Sequence, residues 1–399
     1  MNKQNYLAKY LGVLLLGVVL GYGGNSLAAK NVNGLASEQP QQDANINLSL
    51  FWRVWSELSQ NYVFADDIDD QKLTYGAIKG VVEALDDPYS GFLNPEEAAE
   101  FRGSLDNELE GIGAELTIED DLLTVVTPIK DSPAELAGLK ARDVIAEIDG
   151  KPSLDLNILE AVKLIRGPKG TKVTLLVVRE GRDPFELTIE RNKIEIESVT
   201  TENYGNGIFM ISINQFSNDT ATEFNKAVRA ALLANAKGVI LDLRNNGGGY
   251  LDAAEDILAE FLTPGKVMVK TESKVAGFNS EAVANGRAQL ANLPVAVLIN
   301  GASASASEIV AGALQDHRRG HLIGEQSFGK GTVQEVVDYE DGSSLRLTIA
   351  RWLTPSGRFI HEKGLTPDEI VELTEADYEQ KKDPQLDRAK AYLKELSLR

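Results

Sequence analysis

Three serines alternate with small residues in Ser303-Ala304-Ser305-Ala306-Ser307-Glu308, and Lys330 follows Ser305 by 25 positions within Ser327-Phe328-Gly329-Lys330-Gly331-Thr332. A serine hydroxyl becomes a useful nucleophile only beside a base. The chain has three histidines (His317, His321, His361) and no cysteine, so the pattern points to an amine as that base, a known variant of triad chemistry. A lysine accepts a proton only when neutral, and burial favours the neutral form. Both features also have plain readings. Ser305-x-x-Glu308 fits part of a helix capping box, and Lys330 fits a solvent-facing strand residue.

The surrounding elements decide how far the chemical reading goes. A buried apolar strand over Val295–Ile299 runs through Asn300-Gly301 into the serine run, and a helix is predicted over 305–314. A nucleophile at such a turn sits beside the free N–H groups of a helix start, which can face an oxyanion. Lys330 leads into the β-like run Thr332-Val333-Gln334-Glu335-Val336-Val337. Residues four apart on a strand share a face, so Gln334 can orient the Lys330 amine without adding charge. A third element, Asp242-Leu243-Arg244-Asn245-Asn246-Gly247-Gly248-Gly249, follows the apolar strand 238–243. Glycines there open the backbone at the ligand side of an α/β sheet; a tight turn is the plain alternative. Two further patterns fail. Gly324-x4-Gly329-Lys330 resembles a phosphate loop, but Gly331 stands where Ser or Thr should bind magnesium. Ser327-x-x-Lys330 has the spacing of penicillin-binding enzymes, yet no Lys-Thr-Gly follows.

The length of 399 residues predicts two or three domains. Hydrophobic content of 43% with 25% charged residues is globular, and a net charge of −20 argues against nucleic acid as partner. Lys3 and Lys9, the apolar run 10–20 and the small residues to Ala29 predict a signal peptide over 1–29 and export to the periplasm. The alternative is an uncleaved inner-membrane anchor. Without cysteine there is neither a disulfide nor a thiolate metal site, and no metal or cofactor is expected. A polar tether over 30–45 precedes a helical module over 46–105, with Leu48, Phe51, Trp52, Trp55 and Leu58 at helical spacing. Asn94-Pro95-Glu96-Glu97 reads as a capped helix start.

From Gly111-Ile112-Gly113-Ala114 the texture changes to short strands around Ser132-Pro133-Ala134, Ala137-Gly138-Leu139 and Asp143, with a helix over 157–166. This order resembles a PDZ domain over 106–192, although Arg142 stands where a Gly usually precedes Asp143. Alternating strands and helices over 193–375 read as an α/β core, and a C-terminal helix over 376–399 carries the stripe Leu386, Ala389, Leu393, Leu396. That stripe, like the N-terminal helices, could meet a second copy or simply pack on the core.

Taken with Thr354-Pro355-Ser356-Gly357-Arg358 and Gly364-Leu365-Thr366-Pro367-Asp368, these motifs resemble the carboxyl-terminal processing proteases, the tail-specific serine proteases of type S41. The resemblance covers about 45–375. It implies an α/β protease core (S41/ClpP-crotonase-like) with an inserted PDZ domain and an N-terminal helical module. It also implies Ser305 as nucleophile, Lys330 as general base, Gln334 as its support, and Gly248 and Ala306 as oxyanion donors. Some descriptions of the family add an acid at Asp316. On one helix Asp316 would stand about 16 Å from Ser305, so a structural role at the helix end is expected. Gly111, Ile112 and Gly113 would receive a peptide's terminal carboxylate, and Arg166 would couple that binding to the core. Expected partners are proteins with apolar C-terminal residues, an adaptor protein and further copies of the chain; membrane association would go through the N-terminal segment. The rival readings are an inactive PDZ-bearing peptide-binding protein and, more remotely, an ATPase.

Overall fold

The computed structural model describes residues 47–399 apart from 106–107, 120–121, 130–131, 155, 157, 180, 196, 276, 375, 378–379, 381 and 398–399. The signal segment and tether expected over 1–45 lie outside the described residues. The chain divides into two compact units, Met1–Leu73 and Thr74–Arg399. In the first, α1 (Ser49–Asn61) leaves its apolar side chains in solvent, with Leu50 67% and Trp52 59% exposed. The rings of Phe51, Trp52 and Trp55 cluster on it.

Helix α2 (Asp70–Glu83) crosses the boundary and is followed by β1 (Gly91–Leu93) and α3 (Pro95–Leu105). Asn94 caps α3 reciprocally: Glu97 N–H donates to Asn94 Oδ1 at 3.0 Å, and Asn94 N–H to Glu97 Oε2 at 2.9 Å. That satisfies two of the helix's free amides. Phe92 of β1 is buried, and β1 joins an antiparallel sheet by pairing with residues 344–346.

The next stretch comprises β2 (Glu108–Gly111), β3 (Ala114–Glu119), β4 (Leu122–Pro128), α4 (Pro133–Leu136), β5 (Val144–Ile148), β6 (Lys151–Pro152), α5 (Ile158–Ile165), β7 (Lys172–Val178), β8 (Phe185–Glu190) and β9 (Asn192–Glu195). Strands β3-β4-β5-β7-β8 form one sheet with β6 beside β5, while β2 and β9 pair antiparallel as a stem. Ile145, Val173, Leu175 and Val177 are fully enclosed in its core. Two buried charged groups lock it. Asp143 takes both Nε and Nη2 of Arg179 at 2.6 and 2.7 Å, and Arg142 before it adopts φ 68, the left-handed region that a Gly would enter without strain. Arg191 donates to the carbonyls of Leu164 and Ile165, closing the end of α5.

The remaining elements are β10 (Val199–Gly205), β11 (Ile208–Ile213), α6 (Thr220–Leu233), β12 (Gly238–Asp242), α7 (Leu251–Phe261), β13 (Val267–Glu272), β14 (Ser280–Val283), β15 (Val295–Ile299), α8 (Ala306–Asp316), β16 (His321–Gly324), β17 (Thr332–Asp338), β18 (Ser344–Leu353), β19 (Glu369–Ile370) and α9 (Pro384–Ser397). The main sheet runs β10-β11-β12-β15-β16-β19 and is parallel except for the β10–β11 edge pair. Its strands bury both faces. Val239, Leu241, Val295 and Val297 meet the helices α6, α7 and α8 on one side, and Ile240, Ala296 and Leu298 meet Ala389 and Leu393 of α9 on the other. Two-sided burial explains why β12 and β15 read as continuous apolar runs. The stripe on α9 is therefore intramolecular packing. A second sheet, β1-β18-β13-β14 with β17 on β18, is antiparallel.

Leu393 is 4% exposed and packs over Gly238. Leu393→Ala should lower stability by about 2–5 kcal/mol, read as an earlier urea transition of the core by tryptophan fluorescence; an unchanged midpoint would contradict this packing.

Candidate active site

The serine run forms the turn between β15 and α8, and its three serines have different tasks. Ser303 is fully buried and donates to the Leu243 carbonyl at 2.8 Å. Ser307, equally buried, donates to the Asn246 carbonyl at 2.9 Å. Both tie the turn to the glycine loop behind β12. Ser305 alone is half-buried and lines a cavity of about 440 Å³. Its backbone sits at φ 54, ψ −114, a conformation that costs a non-glycine residue of order 1–3 kcal/mol and persists only when neighbours hold it.

The holding group is Glu308, a carboxylate with no exposed surface. Its Oε2 accepts the N–H of Ser305 at 2.9 Å and that of Lys330 at 2.9 Å. Its Oε1 accepts Gly329 N–H at 2.7 Å and Ser327 Oγ–H at 2.5 Å. One side chain thus fixes the backbone of Ser305 and the backbone of Lys330 together. On the far side of Lys330, the Trp352 indole donates to its carbonyl at 2.9 Å. Two close approaches make glycine necessary nearby. A Cβ on Gly329 (φ 93) would stand 2.7 Å from Gly364 N, and one on Gly364 (φ 66) would stand 2.1 Å from the Ser327 carbonyl.

The Lys330 side chain enters the same cavity as Ser305, with Nζ 5.1 Å from the centre of the Tyr89 ring. Burial first, and then the like charge of Arg346, hold its amine below the ordinary lysine range, against the opposing pull of Asp87 and Glu308. Among the described residues no hydrogen bond joins Ser305 Oγ to the amine. Gln334 also lines the cavity, but its amide donates to Thr332 Oγ1 and Thr348 Oγ1 at 3.0 and 3.1 Å, not to Lys330. A register shift between Val333 and Gln334 breaks simple strand alternation here, so the shared cavity does not follow from period two alone.

The glycine loop packs directly on the serine. A Cβ on Gly248 (φ 103) would lie 2.7 Å from Ser305 Cβ and 3.0 Å from Ala306 N. The N–H of Gly248, expected as an oxyanion donor, is engaged: it donates to Asn246 Oδ1 at 2.9 Å. Ala306, at the first position of α8, and Gly247 and Gly249 of the loop have N–H groups without partners among the described residues. The loop is tethered at its root. Arg244 pairs with Asp242 at 2.7 Å and reaches Asp383 and Gln385 at the start of α9 at 3.0 and 3.1 Å.

Asp316 lies at the other end of α8. It accepts from Ser356 N–H at 2.8 Å and from Arg358 at 2.5 Å. Burial pushes its carboxyl up, but the bonds from Thr354, Ser356 and Arg358 outweigh this and hold it below the usual carboxylate range. It fastens the Thr354–Arg358 turn and stands outside the cavity lining. Gly331, which spoils the phosphate-loop pattern, is needed for contact with His361, 3.0 Å from where its Cβ would be.

In the smaller domain, β3 is a sheet edge without a second partner strand among the described residues, beside α5. Ile112 and Gly113 lead into it. Their carbonyls are taken by Ala134 N–H, by Ile129 N–H and by Ser132 Oγ–H, while their own N–H groups have no partner among the described residues. Arg166 lies against Gly111, with its Cγ 3.6 Å from the glycine's Cβ position, and its guanidinium forms no ion pair among the described residues.

Sequence reasoning did not reach Glu308 as a hub, nor Asn246, Asp87, Tyr89, Arg346 or the Arg244 tether, although the capping-box spacing was a partial signal for Glu308.

A serine turn, a depressed lysine and a glycine loop, set in a mixed sheet with an inserted PDZ-like domain, define a serine peptidase. Residues 207–371 match peptidase family S41, 124–179 match the PDZ domain, and 14–97 match the activating protease CtpB N-terminal domain. The carboxy-terminal processing protease CtpA of Bacillus subtilis (strain 168) is 40% identical over 90% of this chain and 76% of its own length. Among solved structures, the photosystem II D1 C-terminal processing protease is 30% identical with TM-score 0.52, covering 81% of this chain and 87% of its own. A putative S41 protease from Bacteroides fragilis NCTC 9343 shares the fold at TM-score 0.57 and 19% identity, over 86% and 96% of the two chains. The chain belongs to the carboxy-terminal processing proteases of peptidase family S41.

Glu308→Gln places an amide donor against N–H and O–H donors. It should reduce kcat by at least about 100-fold, of the order lost with one well-placed catalytic hydrogen bond, with KM little changed; a variant with wild-type kcat would remove Glu308 from this role.

Proposed function

We propose that the protein is a periplasmic serine endopeptidase that captures apolar C-terminal tails on its PDZ domain and cleaves by a Ser305–Lys330 dyad. The observation carrying this is that one buried carboxylate, Glu308, holds the backbones of both residues at the rim of one cavity. The neutral Lys330 amine takes the Ser305 proton as Oγ attacks the scissile carbonyl, and returns it to the leaving amine; water then releases the acyl group by the same route. The oxyanion faces the Ala306 N–H at the start of α8. A second donor comes from the glycine loop, where Gly247 and Gly249 hold unengaged N–H groups and Gly248 would serve only after release from Asn246. Gln334 shapes the wall of the cavity beside the amine, held by its bonds to the Thr332 and Thr348 hydroxyls.

Export rests on the basic, apolar and small-residue order of the first 29 residues. Tail capture is supported by the β3 edge and the two unpartnered amides at Ile112 and Gly113. Exposed aromatic residues on α1 favour a homo-oligomer.

Ser305→Ala and Lys330→Ala should each abolish cleavage of an unfolded protein with an apolar tail, followed by gel and mass spectrometry. A base acts deprotonated, so kcat should rise with pH through a value below the free lysine value of about 10.4; a limb at or above that value would contradict a buried base. Amidating the substrate's C-terminus should raise KM; equal turnover of free and amidated peptides would remove carboxylate capture.

A further inference from the structure

The cavity beside Ser305 contains a second cation that peptide hydrolysis does not require. Arg346, on β18, lines it together with Lys330, Gln334 and Val336. In the β17–β18 ladder Val336 pairs with Arg346, Gln334 with Thr348, and Asp338 with Ser344. These pairs share one face, which runs from the sheet's outer end inward to the Lys330 side. The acid on that face is already engaged: Asp338 accepts Arg102 at 2.7 Å and Ser344 Oγ–H at 2.6 Å. Asp87, further in, is taken by Tyr89 N–H and by Ser90 Oγ–H at 3.0 and 2.6 Å.

Arg346 is left with no ion pair and no side-chain hydrogen bond among the described residues, and its Nε is buried without any partner. Its guanidinium carbon lies over the Phe101 ring of α3, 5.4 Å from the centroid, within cation–π range. Contact with an aromatic face uses none of a guanidinium's N–H donors. A buried guanidinium nitrogen without an acceptor is costly, and a planar fork of this kind is built for carboxylate.

Resting on the protease reading above, we infer that Arg346 is a substrate-carboxylate subsite of the cleavage cavity, which draws an acidic group of the bound chain to a fixed place near the scissile bond. The carboxylate is either an Asp or Glu side chain or the C-terminus of a short substrate. The apolar part of the lining, with Leu251, Ile309, Val333 and Trp352, holds a neutral neighbour of that acid.

The test uses the full chain and amidated peptides that are cleaved at one known bond, with Glu or its isostere Gln placed in turn at each of the positions flanking that bond. A neutral peptide compared as free acid and amide probes the terminal source. Wild type should favour Glu over Gln at one position, or free acid over amide, by at least about 10-fold in kcat/KM. In Arg346→Gln that ratio should fall to about one, and Arg346→Lys should retain part of it. The ratio is read within one protein sample, so it is insensitive to any change the substitution makes in folded fraction or in the Lys330 amine. A ratio near one at every position and terminus in wild type, or an unaltered ratio in Arg346→Gln, overturns the subsite. Cleavage of the Gln peptide by Ser305→Ala at the wild-type rate would instead remove the dyad.

Discussion

The site depends on one buried anion. The Glu308 carboxylate receives four donors, two on each oxygen, close to the full acceptor capacity of such a group. A charge so enclosed is tolerable only when fully hydrogen-bonded, and it also lies in the first turn of a helix, where negative charge is favoured. The consequence is mechanical. Backbone atoms 25 residues apart are held to one side chain, so the relative place of Ser305 and Lys330 does not rely on a direct bond between them.

The rest of the site is arranged around the strained Ser305 backbone. Ser303 and Ser307 give their hydroxyls to main-chain carbonyls of Leu243 and Asn246, which binds the serine turn to the loop after β12. Asn246 continues the connection, donating to the Ile213 carbonyl and accepting from Gly248. Three adjacent strands of the parallel sheet, β11, β12 and β15, thereby contribute to holding one φ of 54. Gly248 allows the loop to approach where any Cβ would collide with Ser305 itself.

Much of this was legible in the residues. Continuous apolar runs marked β12 and β15, helical spacing marked α1, and Asn94-Pro95 marked the start of α3, because each is a local consequence of burial period or capping. Ser305, which the family resemblance implies as nucleophile, is the one serine of the three that lines the cavity. What stayed hidden depends on distant pairing. The antiparallel sheet joins β1 to β18, over 250 residues away, and no local pattern announces such a partner. Glu308 looked like an ordinary cap because one of its bonds is one; the bonds to Ser327, Gly329 and Lys330 exist only after β16 and β17 are in place. Gly248 likewise offered an amide on paper, and only the Asn246 side chain shows it to be engaged.

The tether from Arg244 to Asp383 and Gln385 makes the glycine loop depend on the chain's last helix. A chain made from its N-terminus supplies Ser305, Glu308 and Lys330 well before the first turn of α9. Gln385 also reaches Glu325 and the Val371 carbonyl, so the same turn braces the strand leading toward Lys330. The root of the loop bearing Gly247, Gly248 and Gly249 therefore gains its Arg244 restraint only when α9 docks. Until that turn docks, the loop is held by Ser303, Ser307 and Asn246, and its root lacks the anchor on α9.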